Sequence, residues 1–138
     1  MGLDTTHDCW HGGYSAFSRW REKVAEVAGY LIRPVKWSEN YERNSVLLEW
    51  HRYQEDKEIM GEWDETPHDP LIVLFAHSDC DGVIHPAQAG PLADALEALL
   101  PSLEGDGGGH VGNYRDTTQR FIDGLRNAVA ANEDVGFH

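Results

Sequence analysis

Two short stretches of the chain concentrate side chains able to do chemistry. "HSDCDG", residues 77–82, offers His77, Asp79, Cys80 and Asp81 directly behind the apolar run "LIVLFA" at 71–76. "DTTHDCWHGG", residues 4–13, offers Asp4, His7, Asp8, Cys9 and His11. Neutral imidazole and thiolate are zinc's preferred donors, and His7 and His11, four residues apart, would share one face of a helical turn with Cys9 between them. Carboxylates widen the choice to manganese. If the two stretches meet in space, His7, Cys9, His11, His77, Asp79 and Asp81 form the expected set of metal ligands, and a divalent metal, zinc or manganese, is the expected cofactor. Each stretch also has a plainer reading. A polar turn behind a buried strand, with glycine at positive φ and Asp capping the next helix, needs no metal. His and Trp near a chain start can serve only to tie it down.

The turn at 77–82 has two look-alikes. Numbered as a calcium loop, "HSDCDGVIHPAQ" puts Asp79 and Asp81 at the third and fifth positions and Gly82 at the sixth. His77 and Gln88 stand where an acidic residue and a bidentate glutamate belong, so nitrogen-bearing ligands for a transition metal fit better than calcium. The turn also resembles the first motif of the DHH phosphoesterases, His-x-Asp-x-Asp-Gly after a strand, which His77, Asp79, Asp81 and Gly82 match. That resemblance implies metal-binding roles for both aspartates and covers this turn only. The family's later Asp-His-His motif has no counterpart; "GHVGNYRD" comes nearest, with the one histidine His110. A full member is thereby excluded, and a convergent two-carboxylate metal turn stays open.

Over a longer span, the opening "MGLDTTHDCWHG", the turn "HSDCDG" and the ending "GNYRDTTQRFIDGL" with its final "FH" resemble a group of small proteins of bacteria and phages, especially those of actinobacteria. The likeness takes in both ends and the turn, while 33–68 is individual to this chain. It brings no activity with it. It implies a bacterial cytosolic setting, or the host cytosol for a phage-encoded chain, and action on host processes, including the sequestering of nucleotide signals.

Composition limits what those residues can meet. A chain of 138 residues is the size of one domain, 1–138, with room for a real core. The formal net charge of −13 makes the surface repel polyanions, so nonspecific nucleic-acid binding is disfavoured. A single bound cation would still invert the field of a local pocket. No apolar stretch approaches the roughly 20 residues of a membrane span, so no membrane partner is expected. The N-terminus lacks a basic segment followed by an apolar one, which makes the cytosol the expected compartment. Cys9 and Cys80 are too few for a disulfide scaffold and read as thiols or metal ligands. If they meet, co-ligation, packed thiols and a disulfide are all open.

The elements that must position these groups follow from periodicity. Tyr14, Phe17, Trp20, Val24, Val27, Ala28 and Leu31 recur at helical spacing, with Ser15 as N-cap and the exit at Gly29. "RPVKWSENYERN" reads as loop or short turns, and "SVLLEWHRYQEDKEIMGEW" as a helix with an irregular apolar face that "DETPHDP" terminates. "LIVLFA" is short, apolar and partly β-branched, the pattern of a strand buried on both faces. Pro86 to Leu103 reads as a helix whose first turn Pro91 marks, with Leu92, Leu96, Leu99 and Leu103 on one face. "EGDGGGH" is a flexible loop. A last helix, 113–132, points Tyr114, Thr118, Phe121, Ile122, Leu125 and Val129 inward and ends on Asn132. Trp20, Trp37, Trp50 and Trp63 read as core and pocket wall. The fold class is α+β or α/β: one small helix-rich domain with a few strands, including a buried one at 71–76.

The leading expectation is a binding protein that holds a small polar, phosphorylated or nucleotide-like ligand in a metal-containing pocket built from both clusters. His7, Trp10, His11, His77, Asp79, Asp81 and Arg115 are its candidate contacts, the arginine through an anion near the start of the last helix. His110 and the closing "VGFH" are spare candidates. Metal-dependent phosphoester hydrolysis, with His7 or His11 as acid or base, is the enzymatic alternative. An acidic module docking on a host protein is the third.

Overall fold

The computed structural model describes residues 2–28, 34–38, 41–44, 70–75, 77 and 79–138. Among the described residues three antiparallel two-stranded ladders accompany the helices, an α+β arrangement. β1 (Gly2–Asp4) pairs with β2 (His11–Gly13), Leu3 lying opposite Gly12 and Asp4 opposite His11. Between them Thr6–Asp8 makes a single 3-10 turn.

α1 (Tyr14–Val27) follows β2 without a spacer and buries Ala16, Phe17, Trp20, Arg21, Val24 and Ala25. Gly13, not Ser15, holds the N-cap position, and Ala28 closes the helix. β3 (Pro34–Ser38) and β4 (Tyr41–Asn44) form an antiparallel hairpin where the sequence suggested loop or turns. The expected exit residues Gly29 and Leu31, the helix expected over 45–63 and its break at 64–69 lie outside the described residues.

The run "LIVLF" is a helix, α2 (Leu71–Phe75), and not the buried strand its composition suggested. A short, wholly apolar run carries no period that separates strand from helix. Here the ends decide. The Val73 N–H bonds back to the Pro70 carbonyl at 3.2 Å. The guanidinium Nη1 of buried Arg21 lies 3.2, 3.4 and 2.7 Å from the carbonyl oxygens of Leu74, Phe75 and His77. A helix terminus leaves such carbonyls without internal partners, and a charged donor from α1 takes them.

After the turn at 79–82 come β5 (Val83–Ile84) and α3 (Pro86–Leu99), which a 3-10 turn, Leu100–Ser102, extends. α3 begins at Pro86, and Pro91 lies inside it, not at its first turn. The start is set upstream: Pro86 needs no N–H partner at the first helical position, and Gln88 Oε1 accepts from the His85 N–H at 3.0 Å. α4 (Tyr114–Ala131) is capped by Asn113, whose Oδ1 accepts from the Asp116 N–H at 3.0 Å, and it ends on Asn132 at φ 53°. Its inner face holds Thr118, Phe121, Ile122, Gly124, Leu125 and Ala128; Val129, expected inside, is 40% exposed.

β6 (Val135–Gly136) pairs with β5, and the residues beyond it reach β1. Thr5 bridges Phe137, while Asp4 and His138 exchange backbone hydrogen bonds of 2.8 and 2.9 Å. The closing segment therefore runs between the N-terminal hairpin and β5. Trp10, Phe17, Trp20, Phe121 and Phe137 pack ring against ring where these segments meet α1 and α4, and this is the centre of the core. Among the described residues no helix is long and apolar enough to cross a membrane.

Candidate functional site

The closing segment keeps the two clusters apart. His77 is 2% exposed, with its ring 3.9 Å from the ring of Phe137 and its Nε2 3.0 Å from the Val83 carbonyl oxygen. An imidazole packed on one face and bonded at that nitrogen serves the core. Asp81 accepts from the N–H of Gly82 at 2.8 Å, a local turn bond, and Gly82 takes φ 87°, where a side chain would be strained. Asp79 is half-buried and its charge acts on Arg21. The turn resembling the DHH motif thus anchors α2 and β5 to the closing segment.

The N-terminal cluster is divided too. Cys9 is buried against α4, and burial pushes its thiol up to about 12, which disfavours the thiolate a metal needs. Trp10 is 3% exposed and stacks on Trp20 in the core; its indole Nε1 has no acceptor among the described residues. His11 is exposed and pairs through Nδ1 with Asp4 across the β1–β2 ladder. Arg115 lies elsewhere, its Nε 3.1 Å from the Leu100 carbonyl oxygen at the end of α3, where it caps a helix. Cys80 is exposed, and it forms no disulfide with Cys9. Among the described residues no three His, Cys, Asp or Glu side chains form a group able to hold a metal.

His7 finds other company. Its Nδ1 is 2.9 Å from Thr6 Oγ1 and its Nε2 3.0 Å from Glu133 Oε1. Thr6 Oγ1 also accepts from the Gly136 N–H at 2.9 Å and lies 3.4 Å from the Asp134 carbonyl oxygen. Asp134 in turn holds His85, Oδ1 to Nδ1 at 3.0 Å. Three chain segments distant in sequence therefore converge: the 3-10 turn, the N-cap of α3 and the residues just past α4. One assignment of hydrogens satisfies the short bonds. Thr6 donates to Nδ1, the Nε2–H donates to Glu133, and Gly136 donates to Thr6. The His7 side chain is 17% exposed, so it is shielded yet reachable, and His85 at 39% is open to solvent.

The local backbone explains why these groups meet. His7 and Asp8 take φ 60° and 57°, consecutive left-handed residues that are not glycine. Each costs about 1–2 kcal/mol relative to ordinary backbone. Gly124 leaves room for the turn to press onto α4, where Arg120 Nε bonds the Asp8 carbonyl oxygen at 3.2 Å. Asn132 reverses the chain at the end of α4 and delivers Glu133 and Asp134 to the two histidines.

Thr6, His85, Glu133 and Asp134 escaped the sequence reading. A signal for them exists: two carboxylates directly after a helix C-terminus face the negative end of its dipole and call for cationic or donor partners. Which histidines supply them depends on the fold. Comparison with protein-family models, with curated proteins and with solved structures gives no match to this chain.

Proposed function

We propose that the protein binds a small polar ligand at the surface made by Thr6, His7, His85, Glu133 and Asp134. One observation carries this reading. Two accessible imidazoles from distant segments are each fixed by one of two adjacent carboxylates, at a turn that holds His7 in a costly conformation. A turn needed only to reverse the chain would be cheaper with glycine.

The surrounding charge narrows the ligand. Asp8, Glu133 and Asp134 surround the imidazoles, Arg120 is engaged by Asp8, and the whole chain carries −13. A neutral or cationic ligand with hydrogen-bonding groups, such as a nucleoside, suits this surface better than a phosphorylated one. The cytosol, the host's for a phage-borne chain, is the setting this reading assumes. Metal-dependent phosphoester hydrolysis at "HSDCDG" draws no support from a buried, engaged His77.

Amide chemical shifts test the reading. Titration with adenosine or ethanolamine is expected to move the resonances of Thr6, His7, His85 and Asp134, and His7→Ala or His85→Ala to weaken the response at least tenfold. Inorganic phosphate is expected to leave them in place. Shifts elsewhere, no shifts, or a response to phosphate alone would overturn it.

A further inference from the structure

The cluster contains an arrangement that binding alone does not require. A hydroxyl, an imidazole and a carboxylate stand in line: Thr6 Oγ1 at 2.9 Å from His7 Nδ1, and His7 Nε2 at 3.0 Å from Glu133 Oε1. This is the order in which a nucleophile, a general base and the carboxylate that orients the base occur in acyl-transfer enzymes on unrelated folds. Thr6 is an exposed residue, as approach of a substrate requires. The backbone N–H of Gly136 points at the same oxygen from 2.9 Å, which favours the negative charge that develops there on proton loss.

Resting on the binding reading above, we infer that Thr6, His7 and Glu133 form an acyl-transfer relay whose substrate class is a small uncharged ester. In the first step Thr6 Oγ1 attacks the ester carbonyl carbon while its proton passes to His7 Nδ1. The carbonyl carbon's bond to the alcohol oxygen breaks, and His7 returns the proton to that oxygen. In the second step water attacks the acyl-threonine, gives its proton to His7, and the carboxylic acid leaves as Thr6 regains its hydrogen. Water is the only co-reactant, and nothing is oxidised or reduced. Thr6 and His7 are the catalytic residues; Glu133 is a positioning residue that holds the Nε2–H tautomer. The acidic surroundings exclude anionic esters.

The test uses the full chain and p-nitrophenyl acetate. Because any exposed imidazole hydrolyses this ester slowly, the rate is read above that of free imidazole at the same imidazole concentration. Thr6→Ala is expected to lower the protein-dependent rate at least tenfold, and Thr6→Ser to retain it. Since Thr6 also accepts from Gly136, Thr6→Ser separates loss of the nucleophile from loss of the fold. Glu133→Gln is expected to lower kcat several-fold with KM unchanged. Stopping the reaction early and mapping peptides is expected to place one acetyl group on Thr6. Hydrolysis that survives Thr6→Ala, or acetyl found on another residue, would overturn the relay. No hydrolysis above the free-imidazole background, with adenosine still shifting the Thr6 and His7 amides, would overturn the relay and leave the binding reading standing. Absence of both responses would end both.

Discussion

Gly124 of α4 lies directly beneath Cys9: a methyl group built on its Cα would fall on the sulfur, 2.8 Å from the His7 carbonyl oxygen and 3.0 Å from the Cys9 Cα. The missing side chain is what lets the turn carrying Thr6 and His7 rest on the helix. Gly124→Ala gains about 1 kcal/mol of helix propensity and loses more to overpacking. The expected net loss is about 2 kcal/mol by urea denaturation, with the Thr6 and His7 amide resonances displaced. Removing the sulfur with Cys9→Ala does not rescue it, because the other close contacts are backbone. A variant as stable as the parent would show that the turn does not press on α4.

Burial pushes the Cys9 thiol from 9.0 up to about 12; a hydrogen bond with Thr5 opposes the shift, Asp8 adds to it, and Arg120 opposes it weakly. A folded value above the unfolded one means that the thiol's contribution is complete below pH 9 and is lost as pH rises to about 12. The loss attributable to this group reaches roughly 4 kcal/mol. Arg21, pushed down to about 10 by burial, acts the other way above that pH. Both chains share Arg21, so the difference between parent and Cys9→Ala across this window isolates the thiol, and the parent is expected to decline more steeply. Ellman's reagent at neutral pH is expected to titrate only the exposed Cys80 in the folded protein, and Cys9 as well in urea. Reaction of both in the folded state would contradict the packing of Cys9.

Arg21 links α1 to the end of α2 through the Leu74, Phe75 and His77 carbonyls. Arg21→Met keeps the bulk and removes the donors, stranding buried carbonyl groups. The expected cost is about 3 kcal/mol, read as a lowered urea midpoint. A cost below about 1 kcal/mol would mean that packing alone holds α2.

Asp8 takes φ 57° and its side chain is 81% exposed in its pair with Arg120. An ion pair so open contributes little, whereas glycine adopts this backbone freely. Asp8→Gly is therefore expected to stabilise the protein by about 0.5–1 kcal/mol, the relief of strain exceeding the entropy that glycine adds to the unfolded chain. A thermal midpoint that falls instead would mean the pair with Arg120 outweighs the strain.

The long helices were legible because their periods span several turns. α1 begins at Tyr14, as its apolar spacing indicates, α4 begins and ends within a residue of the bounds read from that spacing, and Asn132 is the expected left-handed cap. Pro86 and Pro91 both fit a first turn by composition, and only the bond from the His85 N–H to Gln88 separates them. "LIVLF" failed as a strand because five apolar residues fit either conformation, and the deciding donor, Arg21, is more than fifty residues away.

The candidate site divides along the same line. His7 was legible from the donor-rich stretch around it, but its neighbours Cys9 and Trp10, equally conspicuous, went into the core, as did His77. By itself the sequence determined an acidic, helix-rich chain, its two main amphipathic helices and the places where polar chemistry concentrates. These depend on local spacing and on charge, which a linear string records in full. Tertiary structure alone decided that Glu133 and Asp134 would close on His7 and His85. That meeting depends on the last segment passing between the first hairpin and β5, and no local preference encodes contacts between residues 49 or 126 positions apart.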